Sequence, residues 1–126
     1  MMPVVITIAV CVSGGLGAGL RLTVDGLINE RHNFVLPLGT MIINVIGSLV
    51  LGVLIGLTIS HPSAGIHRLE LIAGTGVMGG FTTFSTASVE VVRLALQRRF
   101  AVAALHALGT LILSVAAATL GIVLTS

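Results

Sequence analysis

The chain has 126 residues, of which 56% are hydrophobic and only 8% charged, and its mean hydropathy of +1.18 excludes an ordinary soluble domain. Six arginines, no lysine and four acids give a net charge of +2; the basic residues form no clustered stripe with interleaved aromatics, which argues against a nucleic-acid partner. Cys11 is the single cysteine, so neither a disulfide framework nor a thiolate metal site is available within the chain.

A helical span needs roughly 20 mainly apolar residues. The chain therefore reads as an all-α integral membrane protein of four transmembrane helices in one domain, residues 1–126, and it lacks the alternating segments of a barrel. So small a bundle has little room to enclose a pore, which points to an oligomer whose subunits share the walls of a conduit.

The first span is expected over about residues 3–28. Its opening, residues 4–12, resembles the apolar core of a secretory signal. No positive residue precedes it, however, and the apolar pattern continues beyond Gly14, so it is read as a membrane helix. Residues 13–21 are dense in small side chains and end in Arg21. That guanidinium has two readings: an anchor that snorkels to the interface or bonds helix-end carbonyls, or a positive vestibule that draws anions.

The second span is expected over about residues 36–59, introduced by Pro37 and closed by Ser60-His61-Pro62-Ser63. Thr40, Asn44, Ser48, Gly52 and Gly56 recur every fourth residue and share one face. Close helix packing explains small residues there. Asn44 stands out, because an amide in the middle of an apolar span is costly unless a partner or a permeating ion uses it.

The third span, about residues 67–97, contains Gly74-Thr75-Gly76-Val77-Met78-Gly79-Gly80-Phe81-Thr82-Thr83-Phe84-Ser85-Thr86, and a break is expected at 79–84. Irregular backbone at membrane depth survives only inside protein or along a wet, ion-bearing cavity, so this segment points to transport. The fourth span, about residues 100–124, carries His106, Thr110, Ser114 and Ala118 on one side. Singly, Thr110 and Ser114 are expected to bond back to a carbonyl one turn earlier; as a row facing Asn44 they form a polar track. His106 reads as a structural hydrogen-bonder, with a proton relay as the sharper alternative.

These blocks resemble the Fluc fluoride channels, also called CrcB proteins. Gly14-Gly15-Leu16-Gly17-Ala18 with Arg21 resembles the first-helix signature, Gly39-Thr40 with Asn44 and Gly47-Ser48 the second, and residues 79–86 with Glu90 the third-helix break. The resemblance implies an antiparallel, dual-topology dimer in the cell inner (plasma) membrane that exports cytoplasmic fluoride passively along two narrow pathways. It also implies a structural sodium ion held at the dimer centre by backbone carbonyls of Gly79 and Thr82. The fluoride pathway would comprise Asn44, Phe84, Thr86, Thr110 and Ser114. Two positions depart from the pattern: Ala87 stands where the family's second phenylalanine is expected, and His106 where some relatives carry tyrosine. Each pathway is then modified, or the chain is one half of a heterodimer.

Arginine placement bears on that choice. Arg31, Arg98 and Arg99 lie in the first and third connections, with Arg21 and Arg93 towards the same side, against Arg68 in the second. The bias leans towards those two loops being cytoplasmic. Two other classes compete with a channel: a small four-helix multidrug exporter, which needs a membrane-embedded carboxylate, and a partner subunit with no transport of its own. Glu90 is the one acid placed for the former, and it reads as structural or paired with an arginine. No nucleophile-base-acid set or phosphate loop supports an enzyme.

Overall fold

The computed structural model describes residues 2–31 and 35–126, so residues 32–34 of the first connection lie outside it. It is all-helical, with no strand among the described residues. In chain order the elements are α1 (Met2–Arg31), α2 (Leu38–Ser60), α3 (Ala64–Leu69), a π-helical segment (Glu70–Met78), α4 (Gly79–Phe81), α5 (Ser85–Leu96) and α6 (Phe100–Thr125). Three helices, Pro3–Arg31, Leu38–Ser60 and Phe100–Thr125, are long and apolar enough to cross a membrane. The chain is a multi-pass membrane protein.

Local chemistry explains the helix ends. Pro37, which has no N–H to satisfy, precedes α2, and His61 closes it ahead of Pro62. The Ser63 hydroxyl accepts the Ile66 N–H at 3.2 Å and so caps α3. Between α5 and α6 the chain turns through Arg98, whose φ of 58° is left-handed. Arg98 N–H bonds Ala95 O and Arg99 N–H bonds Leu94 O, each at 2.9 Å. This is the paired pattern that closes many helices, here with arginine where glycine is usual.

The third hydrophobic stretch is built differently from the rest. From Ala64 to Phe81 it is helical throughout, but over Glu70–Met78 the backbone widens to i→i+5 bonding, and Gly79 N–H reaches back to Gly74 O. The non-helical stretch is shorter than the sequence suggests. Gly79, Gly80 and Phe81 stay helical, and Thr82, with ψ of 160°, starts an interruption that ends at Ser85. Glycine there serves close approach more than flexibility. A Cβ on Gly80 would collide with the Gly14 carbonyl, and one on Gly17 with the Val77 carbonyl, so α1 and α4 cross backbone to backbone.

The second such crossing joins α2 to α6, where Gly52 faces the Ala118 backbone and Gly121 faces Leu49 and Gly52. The four-residue face of α2 therefore divides by task. Gly52 and Gly56 seat α6, while Thr40 and Asn44 are buried polar groups. The buried set is unusually rich in polar side chains, with Ser13, Thr40, Asn44, His106 and Thr110 beside Ile43, Phe81, Leu94, Ala103 and Ala117. Large apolar side chains such as Leu16, Leu20, Leu108 and Leu111 face outward, as expected where lipid is the solvent and small or polar groups join the helices.

Candidate functional site

Asn44 and Thr83 hold the helix break. Asn44 Nδ2 donates to Thr83 O at 2.9 Å, and Asn44 Oδ1 accepts Thr83 N–H at 2.8 Å. Both ends of the amide thus engage the backbone of one residue, the partner that the sequence reading required of a mid-span amide, and one Nδ2–H is left over from these two bonds. A continuous helix would have used Thr83 N–H to bond Gly79 O and Thr86 N–H to bond Thr82 O. Thr86 N–H instead donates to Thr83 Oγ1 at 3.1 Å. The carbonyls deprived of their helical donors in this way are those of Gly79 and Thr82. Thr83 is the residue the sequence reading missed, since nothing in a Thr-Thr pair says which of the two will carry the turn.

Arg21 crosses from α1 to the same region. Its Nε donates to Gly80 O and its Nη1 to Thr86 Oγ1, both at 3.4 Å. The first contact is with a helix-end carbonyl, the geometry of the anchor reading, and it leaves the vestibule reading open. Thr86 faces this arginine and Thr83 and does not line the groove described next.

Asn44, Ser48, Thr82, Thr83, Phe84, Ala87, Ser88, Thr110 and Ser114 share one groove of about 650 Å³, together with aliphatic residues of α2, α5 and α6. It gathers four of the five residues singled out for the ion pathway: Asn44, Phe84, Thr110 and Ser114. No arginine, carboxylate or histidine is among its lining residues. Phe84 stands at 88% exposure, its ring almost wholly uncovered, and Ala87 presents only a methyl group on the same groove.

Thr110 Oγ1 and Ser114 Oγ are buried and have no hydrogen-bond partner among the described residues. This differs from the local bonding expected of membrane hydroxyls, which several others in the chain do show: Thr58, Ser60, Thr82 and Thr119 each donate to a carbonyl one turn back. Two free donors one turn apart on a groove wall are costly in an apolar setting unless something accepts from them.

One turn before Thr110, His106 is completely buried, and its Nε2 lies 3.1 Å from Glu90 Oε2. Thr40 Oγ1 donates to Glu90 Oε1 at 2.8 Å. Among the described residues, the partners of Glu90 are therefore a histidine and a threonine, where the sequence reading had suggested an arginine. Spacing alone placed His106 and Thr40 correctly on their faces but gave no sign that Glu90 joins them.

A family model described as CrcB-like protein, Camphor Resistance (CrcB), matches residues 8–122. The chain is 48% identical over 122 residues to the fluoride-specific ion channel FluC 1 of Leifsonia xyli subsp. xyli, covering 97% of this chain and 87% of that one. It is also 48% identical over 117 residues to FluC 2 of Cutibacterium acnes, covering 93% and 94%. To the fluoride-specific ion channel FluC of Novosphingobium aromaticivorans it is 42% identical over 118 residues, covering 92% of each. With its length matched almost end to end, the chain belongs to the CrcB family.

Proposed function

We propose that this chain is a channel subunit, not an enzyme, and that it lets fluoride leave the cytoplasm passively across the plasma membrane. The observation that carries this reading is the pair of buried, unpartnered hydroxyls of Thr110 and Ser114 on the wall of a groove that reaches the helix break. Fluoride is small and strongly hydrated, so it enters only where donors replace its water. Neutral hydroxyls do this without the deep trap of a buried cation, and conduction needs binding weak enough to release. The ring edge of Phe84 carries partial positive charge and adds a weak contact of the right sign. The names of the similar proteins in three bacteria support the choice of ion.

The groove is one wall of a conduit. Phe84 is too exposed to be a finished lining, and the reading completes it with a second subunit inserted the opposite way, so that four spans from each chain build two pathways. The third span in this reading is the broken one, from α3 to α5. The Gly79 and Thr82 carbonyls fit a structural sodium ion, since they are neutral oxygens whose helical donors have been diverted to Asn44 and Thr83 side chains. Hard monovalent cations take such oxygens, and two copies of the break would supply a fuller shell than one. Asn44 and Thr83 then act by fixing the carbonyls, Arg21 by bonding Gly80 O, and Thr86 by linking Arg21 to Thr83. Thr86 belongs to the support of the pathway in this account.

The partner is a second copy or an oppositely inserted paralogue; the arginine bias and the methyl group of Ala87 favour a paralogue for the complete aromatic set. A multidrug exporter gains no support, because no carboxylate is among the groove's lining residues. The test uses Thr110→Val and Ser114→Ala in proteoliposomes. Each removes a hydroxyl without a partner, so thermal stability in detergent is expected to hold or rise slightly. Fluoride efflux should fall by about tenfold, the worth of one lost donor at roughly 1.4 kcal/mol. Wild-type efflux in both variants would show that the hydroxyls are bystanders.

A further inference from the structure

Buried His106 and Thr40 and the partly buried Glu90 form a cluster that the proposed pathway leaves without a task. Thr40 lies one helical turn before Asn44, and His106 one turn before Thr110; both Asn44 and Thr110 line the groove, so the cluster sits about 5.4 Å along the helices from the donors. On its other side Glu90 lines a second cavity, of about 330 Å³, with Asn29, Arg93 and Gln97. Those three polar residues are exposed, which gives water, and therefore protons, a way to the carboxylate. The cluster lies between the cavity of Asn29, Arg93 and Gln97 and the groove lined by Asn44 and Thr110.

We propose that the Glu90–His106 pair is a proton-operated valve on the anion groove. It holds one proton when the groove conducts and carries one net negative charge when that proton is lost. The inference rests on the channel reading above. Proton uptake takes one proton from water and brings the pair from a charge of −1 to zero. Whether the proton sits on the imidazole or the carboxylate is immaterial, because the pair titrates as a unit. In the deprotonated state an anion at Thr110 faces a carboxylate across a low-dielectric interior, where like charges repel strongly. In the protonated state the pair is neutral and repels nothing.

Imidazole is the feature that makes this possible, since it is the side chain whose ordinary charge change falls between roughly pH 5 and 8. The other charged groups around the pair are few. Asp25 on α1 is near enough for its charge to act on Glu90, and its Oδ1 is buried without a partner among the described residues. Arg93 on α5 shares the second cavity, and α2 offers only the uncharged Thr40.

The measurement is fluoride current across planar bilayers at fixed voltage, which an electroneutral leak of hydrogen fluoride does not enter. Wild-type current should rise about fivefold or more from pH 8.5 to pH 5.5. His106→Gln, which keeps an amide within reach of Glu90 but removes the imidazole, should flatten the profile, whereas Glu90→Gln, which removes the repelling carboxylate, should carry at pH 8.5 at least the current that wild type carries at pH 5.5. A flat wild-type profile, or a His106→Gln profile as steep as wild type, overturns the valve while leaving the channel intact. No current at any pH, either from the chain alone or with an oppositely inserted paralogue added, overturns the channel reading and the valve with it. Should the variants fail to fold, histidine-labelled NMR of the wild-type chain in micelles decides: a His106 signal that moves between pH 5 and 8.5 supports the valve, and one that stays fixed overturns it.

Discussion

At the scale of single residues, the interior is organised by which polar groups are satisfied and which are not. Asn44 is committed to the break: its two bonds to Thr83 hold backbone groups that no helix ladder serves. Asn44→Leu keeps much of the volume and removes both bonds, leaving Thr83 N–H and C=O bare in an apolar setting at about 1–3 kcal/mol each. The expected outcome is a lower melting temperature in detergent together with lost flux; unchanged stability would mean the break holds itself. Thr110 and Ser114 should behave in the opposite way, losing flux without losing stability. That contrast was not legible in the sequence, where Asn44, Thr110 and Ser114 all read as donors on apolar helices. Periodicity tells which face a residue occupies; it does not tell whether a neighbouring peptide has already taken its hydrogen bonds. Glu90 makes the same point, because sequence spacing could not show that it joins Thr40 and His106 across three helices.

At the scale of elements, the glycine clusters were readable as close contact, and the structure shows which backbones meet. Gly14 and Gly17 of α1 accept α4 and the π-helical segment, while Gly52 and Gly121 join α2 to α6. What the sequence could not reveal is the widened helix over Glu70–Met78. Its apolar pattern is compatible with an α-helix, and the extra residue per turn is absorbed by packing, with Ser13 Oγ donating to Ile72 O at 3.0 Å. The break was expected at 79–84, yet glycines 79 and 80 remain helical; Gly80 is needed for approach to Gly14, and the turn is made by Thr82 and Thr83. Gly80→Ala tests that division. Its methyl group would meet the Gly14 carbonyl, so the cost should be about 1–3 kcal/mol through forced separation of α1 from α4. A loss of stability and of flux together is expected; a variant as stable as wild type would show that the crossing has slack.

At the scale of the whole molecule, the chain turns the usual soluble arrangement inside out. Polar and small residues sit between its helices, and large apolar ones such as Leu108, Leu111 and Leu113 face outward. The membrane class was evident from composition, since hydropathy this high with so few charges leaves a water-soluble fold no surface to present. In the proposed function, the exposed Phe84 and the groove beside it are one half of a structure that another subunit completes. The most direct test is ion efflux from liposomes containing only the purified chain. The account predicts rapid fluoride efflux with chloride retained, carried by this chain alone or on adding an oppositely inserted paralogue. Fluoride held in the liposomes under both conditions, or chloride released as readily as fluoride, would contradict it.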